Sequence, residues 1–182
     1  MSARVEKDPK FAAFLDRLKE AKGTSVFIGV LGSGKAQEIH KPPVRKRKGE
    51  SDSGHAKRAA AKGGSTRAIT QVDIASWNEF GVTIGGVVHV PERSFLRGTI
   101  DRKHAEITKR AAKELPKAFA GKQSVAAAFE RVGIATVGLI QDRIAEGIAP
   151  GNDAKTIERK GSSKPLIDSG QLRSSITYEV RS

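Results

Sequence analysis

Residues 164–180 read KPLIDSGQLRSSITYEV, and this stretch sets the fold class. A proline stop, a helix cap, one helical turn and a strand follow within it. Asp168 or Ser169 can cap the N–H groups of Gln171 and Leu172. Ile176, Tyr178 and Val180 then alternate with Thr177, Glu179 and Arg181, the period-two pattern of a half-buried strand. The segment builds a sheet edge and carries no obvious chemistry. It points to a protein that acts by assembly rather than catalysis.

Working outward, the remaining elements mix helix and strand. Asp8 and Pro9 form a helix start, followed by Phe11, Phe14, Leu15 and Leu18 at helical spacing, and Gly23 closes the helix. TSVFIGVL at 24–31 is β-branched and aromatic, and reads as a strand. Ile69, Val72 and Ala75 predict a short helix that ends near Gly81, a C-terminal cap. Residues 83–90 contain two glycines and then VVHV, a short strand after a turn, ended by Pro91. Ser94 is placed to cap a long helix with Ile100, His104, Ile107, Ala111, Leu115 and Phe119 on one face, kinked near its end by Pro116. Gly121 breaks it, and Ser124 starts another. There Val125, Ala128, Phe129, Val132, Thr136, Leu139, Ile140 and Ile144 make an apolar stripe. Gly133 and Gly138 weaken that helix but allow close backbone approach, which places it in the core. Asp153 caps a short turn through Ile157. The expectation is an α+β fold: a small, mostly antiparallel sheet packed by two long helices, all within one domain spanning 1–182.

Residues 32–67 break this pattern. Apolar periodicity disappears, and Gly, Ser, Pro, Lys and Arg dominate. Lys41, Arg45, Lys46, Arg47, Lys48, Lys57 and Arg58 form its basic core. A connection of this length without secondary structure is uncommon in a compact domain. Two readings stand: a solvated excursion, or a contact surface for phosphates or a protein partner. The region has no aromatic residue, so base stacking is not expected there. Any nucleic-acid binding would be sequence-independent and salt-sensitive.

Composition narrows the class further. The chain has 182 residues, no cysteine and a formal net charge of +13. Disulfides and thiolate metal sites are thereby excluded. So large a positive surplus suits a polyanion or an acidic protein neighbour. Apolar residues make up 37%, below the roughly 45–50% of an average domain, so part of the chain lies outside any core. The N-terminus MSARVEKDPKF has no apolar signal segment. The longest apolar run, around 133–140, is too short to cross a bilayer. A soluble protein made in a cytoplasm, with no membrane partner, is expected.

Motifs of known chemistry are weak. Gly29 to Ala36, GVLGSGKA, comes close to a phosphate-binding loop. However, Ala36 stands where the magnesium-binding hydroxyl belongs, Gly29 lies inside the strand, and Pro42 and Pro43 bar the helix that would cradle phosphate. His40, His55, His89 and His104 lack metal-ligand spacing. Glu79, between Trp77 and Phe80, is the one carboxylate in an apolar setting, and pairing with a nearby Arg accounts for it. No catalytic, metal or cofactor residues are assigned, and an enzyme is not expected.

Four segments taken together resemble a known family. They are SVFIGVL (25–31), DIASWNEFG (73–81), VPERSFLR (90–97) and KPLIDSGQLRSSITYEV (164–180). Their order and spacing are similar to those of the neck or tail-completion proteins of tailed bacteriophages, the small virion-morphogenesis and minor-tail components. The resemblance covers most of the chain from residue 25 onward, except 32–67. It implies a non-enzymatic ring subunit at the head–tail junction of a virion assembled in the host cytoplasm. The implied oligomer is cyclic, with a hexamer favoured, between a head connector and a tail tube or tail terminator. Arg93, Phe95 and Arg97 mix charge with an aromatic anchor and are candidates for the subunit interface. Leu166, Ile167 and Leu172 are further candidates, or pack within their own chain. The basic stretch would suit a DNA channel with diffuse phosphate contacts. The alternative function is a free, basic, sequence-independent nucleic-acid-binding protein.

Overall fold

The computed structural model describes residues 8–31, 51, 69–160, 164–166 and 170–182. Helix α1 (Pro9–Gly23) leads into strand β1 (Ser25–Val30). Then come α2 (Gln71–Phe80) and the hairpin strands β2 (Val82–Ile84) and β3 (Val87–Val90). Two long helices follow, α3 (Arg97–Phe119) and α4 (Val125–Glu146). Short helices α5 (Ala154–Lys160) and α6 (Gln171–Ser174) precede the last strand, β4 (Ile176–Arg181). The fold is α+β.

Local chemistry sets most element ends. The Asp8 carboxylate accepts from the Lys10 N–H at 2.8 Å, with Pro9 at the first helical position. Thr70 and Asp73 form a reciprocal capping box on α2: the Thr70 hydroxyl oxygen accepts from Asp73 N–H, and Asp73 accepts from Thr70 N–H. Ser124 caps α4 by accepting from Ala127 N–H at 3.1 Å. Asp153 accepts from Thr156 N–H at 2.6 Å at the start of α5. Gly81 ends α2 with φ of 72°, a conformation that costs a residue with a side chain. At α6 the cap position is Gly170; Asp168 and Ser169 lie outside the described residues.

β1 and β4 pair antiparallel, from Ser25 opposite Arg181 to Val30 opposite Ile176. The first and last strands of the described chain are thus one ribbon. α4 lies across it, and Gly133 is the contact point. A Cβ at Gly133 would sit 2.8 Å from Tyr178 Cδ2. Gly133 therefore serves close approach, as expected, whereas a Cβ at Gly138 would meet nothing within 4 Å, so the expectation fails there. Ile28, Val30 and Leu96 pack onto a core of Ala75, Phe95, Ile140, Ile144, Ile148, Leu166, Leu172 and Ile176. A smaller cluster, Ala118, Val125 and Ala128, with Ala21, Leu115 and Phe129 against it, closes the far end where α1 meets α3 and α4.

Two expectations need correction. The strands form two separate two-stranded sheets, β1–β4 and β2–β3, among the described residues, not one small sheet. Gly85 and Gly86 have φ of 58° and 79°, and this pair of positive values closes β2 directly onto β3. The apolar face assigned to α3 is also displaced at its start. Ile100 and His104 are exposed, and Thr99 is buried instead. Phe95 enters the core just ahead of the helix, and the Thr99 hydroxyl donates to the Phe95 carbonyl, which fixes the rotation.

Candidate functional site

Two segments, NEFG and PERSFLR, meet in space as one joint. Its centre is Glu79, at the end of α2 and nearly inaccessible to solvent. One carboxylate oxygen accepts from the Ser94 hydroxyl at 2.8 Å, from Arg97 N–H at 3.0 Å and from Arg97 Nε at 3.0 Å. The other accepts from Leu96 N–H at 2.9 Å. The first N–H groups of a helix have no partner within it and carry partial positive charge. Glu79 supplies that partner from a different helix. Ser94 assists by accepting from Gly98 N–H at 3.0 Å, while Leu96 holds the cap position without a side-chain bond.

Burial pushes the Glu79 carboxyl up. The Leu96 and Arg97 N–H groups, the Ser94 hydroxyl and the Arg97 guanidinium outweigh it and hold the carboxyl below the usual range. Glu79 is therefore ionised at neutral pH, with its lone pairs engaged by named donors. That is the chemistry of a clamp. It does not suit a proton shuttle, which needs a pKa near the working pH.

The joint extends on either side of Glu79. The Asn78 carbonyl accepts from Arg93 N–H at 2.6 Å. A Cβ on Gly81 would lie 3.1 Å from Glu92 N and 3.2 Å from Val90 O, so the backbone after α2 passes against the returning strand. The Arg93 side chain is buried and donates from Nε to the Pro150 carbonyl at 2.8 Å and from Nη2 to the Gly151 carbonyl at 3.1 Å. Burial pushes its guanidinium down, and Asp153 opposes this. Arg97 lies over the Phe80 ring, 4.6 Å from its centroid, and also donates to Glu92.

The expected interface residues divide sharply. Phe95 has no exposed area and lies in the core of its own chain, so it is no surface anchor. Arg93 is spent on backbone carbonyls within the chain. Leu166 and Leu172 belong to the same core as Phe95. Only Arg97 keeps a half-exposed side chain, and it is tethered to Glu79 and Glu92. Ile167 lies outside the described residues, as do Lys41, Arg45, Lys46, Arg47, Lys48, Lys57 and Arg58. Gly29 pairs with Thr177 inside β1, while Lys35 and Ala36 are outside the described residues. His89 and His104 are exposed. Among the described residues no three His, Asp or Glu side chains are grouped to hold a metal ion, and no helix is long and apolar enough to cross a membrane.

The surface that sequence reasoning missed is the hairpin. Phe80, Ile84, Val87 and Val88 are 61%, 63%, 61% and 62% exposed, the four largest values for big apolar side chains among the described residues. All four lie in or beside VTIGGVVHV, which follows the joint directly. A signal was present: nine consecutive residues with no Lys, Arg, Asp or Glu in so charged a chain. Compared with family models, curated proteins and solved structures, the chain finds no match.

Proposed function

We propose that this chain is a structural subunit of a tailed-bacteriophage neck, a tail-completion protein that joins a filled head to a finished tail. The observation that carries the reading is the joint. NEFG and PERSFLR, far too short to be specific alone, are held together by Glu79, Asn78 and Gly81 as a single device. Its product is a hydrogen-bonded platform from which an apolar hairpin departs. A platform with a sticky arm suits a protein whose work is to assemble. The proposed assembly is a ring of copies, six favoured, between head connector and tail tube or terminator. The basic residues of 32–67 would then face DNA in the channel or an acidic neighbour. Deleting the gene from a phage that carries it should leave full heads and separate tails. Normal yields of joined virions without the gene would overturn the proposal.

The net charge of +13 supports a second reading, a free binder of nucleic acid without sequence preference. It predicts salt-sensitive binding to any duplex by the isolated protein. Undiminished binding as salt rises, or none at low salt, would remove it.

A further inference from the structure

The two long helices carry opposite net charge. Helix α3 holds seven Lys and Arg against three Asp and Glu, whereas α4, one residue shorter, holds two against three. The cations of α3 are also sorted around its axis. At 3.6 residues per turn, Arg102, Lys103, Lys109, Arg110, Lys113 and Lys117 fall within one band roughly 120° wide. Glu106 is the one carboxylate inside that band. The adjoining exposed flank, formed by Asp101, Ala105, Thr108, Ala112 and Pro116, has no cation.

The band is open to solvent. Every residue from Asp101 to Glu106 is exposed, so this length of α3 stands clear of the other described residues. Arg102, Lys109 and Lys113 are exposed and form no ion pair among the described residues. Lys103 pairs with Glu106 at 3.2 Å, both half-exposed, a contact worth little in water. Buried Glu114 fixes the far end of the band. Its carboxylate accepts from Lys117 at 3.0 Å, and its carbonyl accepts from the Gln123 amide at 2.9 Å. Arg110 Nε is 3.9 Å from Glu114 and has no hydrogen-bond partner.

We infer that this band of α3 is a contact surface for the phosphate backbone of duplex nucleic acid, bound without regard to sequence. The inference rests on the nucleic-acid reading of the charge and gives it a helical surface separate from residues 32–67. Six cations on one side of a rod fit a dense line of fixed anions, and a duplex carries one charge per about 1.7 Å of its axis. Arg102 to Lys117 spans about 22 Å at 1.5 Å per residue, the length of about six base pairs. Lys and Arg on phosphates position a protein without reading bases. The band has no Asn or Gln to pair with base edges and no aromatic side chain to stack on unpaired bases. That composition selects a duplex over a single strand. Nor does the band carry an apolar side chain, the anchor that the centre of a protein–protein contact needs.

The test uses the whole chain and labelled DNA duplexes, with binding followed by fluorescence anisotropy over a salt series. The parent should bind two duplexes of unrelated sequence within about twofold of each other, with affinity falling steeply as salt rises. Arg102→Gln, Lys109→Gln and Lys113→Gln together should weaken binding about tenfold or more and lower the logarithmic salt slope by about 3. Lys109→Gln alone should lower it by about 1. A control triple on α1, Lys10→Gln, Lys19→Gln and Lys22→Gln, removes the same charge from exposed positions and should leave the slope within about 1 of the parent's. All these positions are exposed and Gln is a good helix former, so melting temperatures matching the parent's verify folding. Equal losses from the two triples would show an effect of net charge and overturn the inference. An α3 triple that binds as the parent does would also overturn it, while leaving the nucleic-acid reading to residues 32–67. A parent that binds no duplex at low salt would remove that reading and the inference with it. Polyglutamate bound as tightly as duplex, and lost in the α3 triple, would replace the duplex with an acidic protein.

Discussion

The Glu79 joint and the β2–β3 hairpin are neighbours in the chain and opposites in their physics. At the joint, polar groups are buried and matched: Glu79 meets four donors on Ser94, Leu96 and Arg97, and Arg93 meets two carbonyls. In the hairpin, apolar groups are exposed and unmatched. Gly81 separates the two, with a backbone turn that only glycine adopts at low cost. The contrast teaches where the chain invests its interactions. Specific hydrogen bonds fix the direction in which the hairpin leaves, and the hairpin's own apolar surface is left for something else to cover.

Substitutions can break or sharpen this contrast. Phe95→Ala should have the largest effect, a loss of about 4 kcal/mol in denaturant unfolding, because it empties a fully buried site in the main core. A loss below 1 kcal/mol would mean that Phe95 does not anchor the platform. Glu79→Gln should cost about 3 kcal/mol, since it removes the charge that the Leu96, Arg97 and Ser94 donors are gathered around.

The same residue gives a pH signature. Its folded carboxyl titrates below the unfolded one, so its contribution is complete above the ordinary glutamate range. That contribution disappears as pH falls through the lower, folded value. Stability of the parent should thus decline in acid more steeply than that of Glu79→Gln. Parallel acid profiles would show that the joint does not depend on the charge.

Gly133→Ala should cost about 1 kcal/mol. The added methyl displaces the Tyr178 ring, and better helix propensity offsets only part of that. An unchanged melting temperature would place α4 further from β4 than the packing indicates. Val88→Thr should have the smallest effect, within about 0.5 kcal/mol, as expected of a surface change. A cost comparable to that of Phe95→Ala would erase the contrast and make the hairpin part of the core.

Much of the fold was legible because it depends on near neighbours. Asp8 and Ser124 cap helices through N–H groups two or three residues away. Gly81 ends α2 through its own backbone, and Ile176, Tyr178 and Val180 alternate because a strand's side chains do. The pairing of Glu79 with an arginine was legible too, from a carboxylate among aromatic residues. Its main role was not, because Leu96 N–H is 17 residues away and free only because a helix begins there. Phe95 was misread for the same reason. Flanked by Arg93 and Arg97 it looks like an interface anchor, and only the packing of α4 and β4 above it makes it core.

The sequence by itself determined the α+β class, the two long helices, the strands β1, β3 and β4 and the concentration of charge in 32–67. These follow from periodicity, capping chemistry and composition, which act within a few residues. Only the tertiary structure decided that β1 pairs with β4, that NEFG and PERSFLR are one joint, and that the hairpin stands uncovered. Each of those depends on which distant groups satisfy a buried donor or cover an apolar face. That is a property of the packed chain, and local pattern does not encode it.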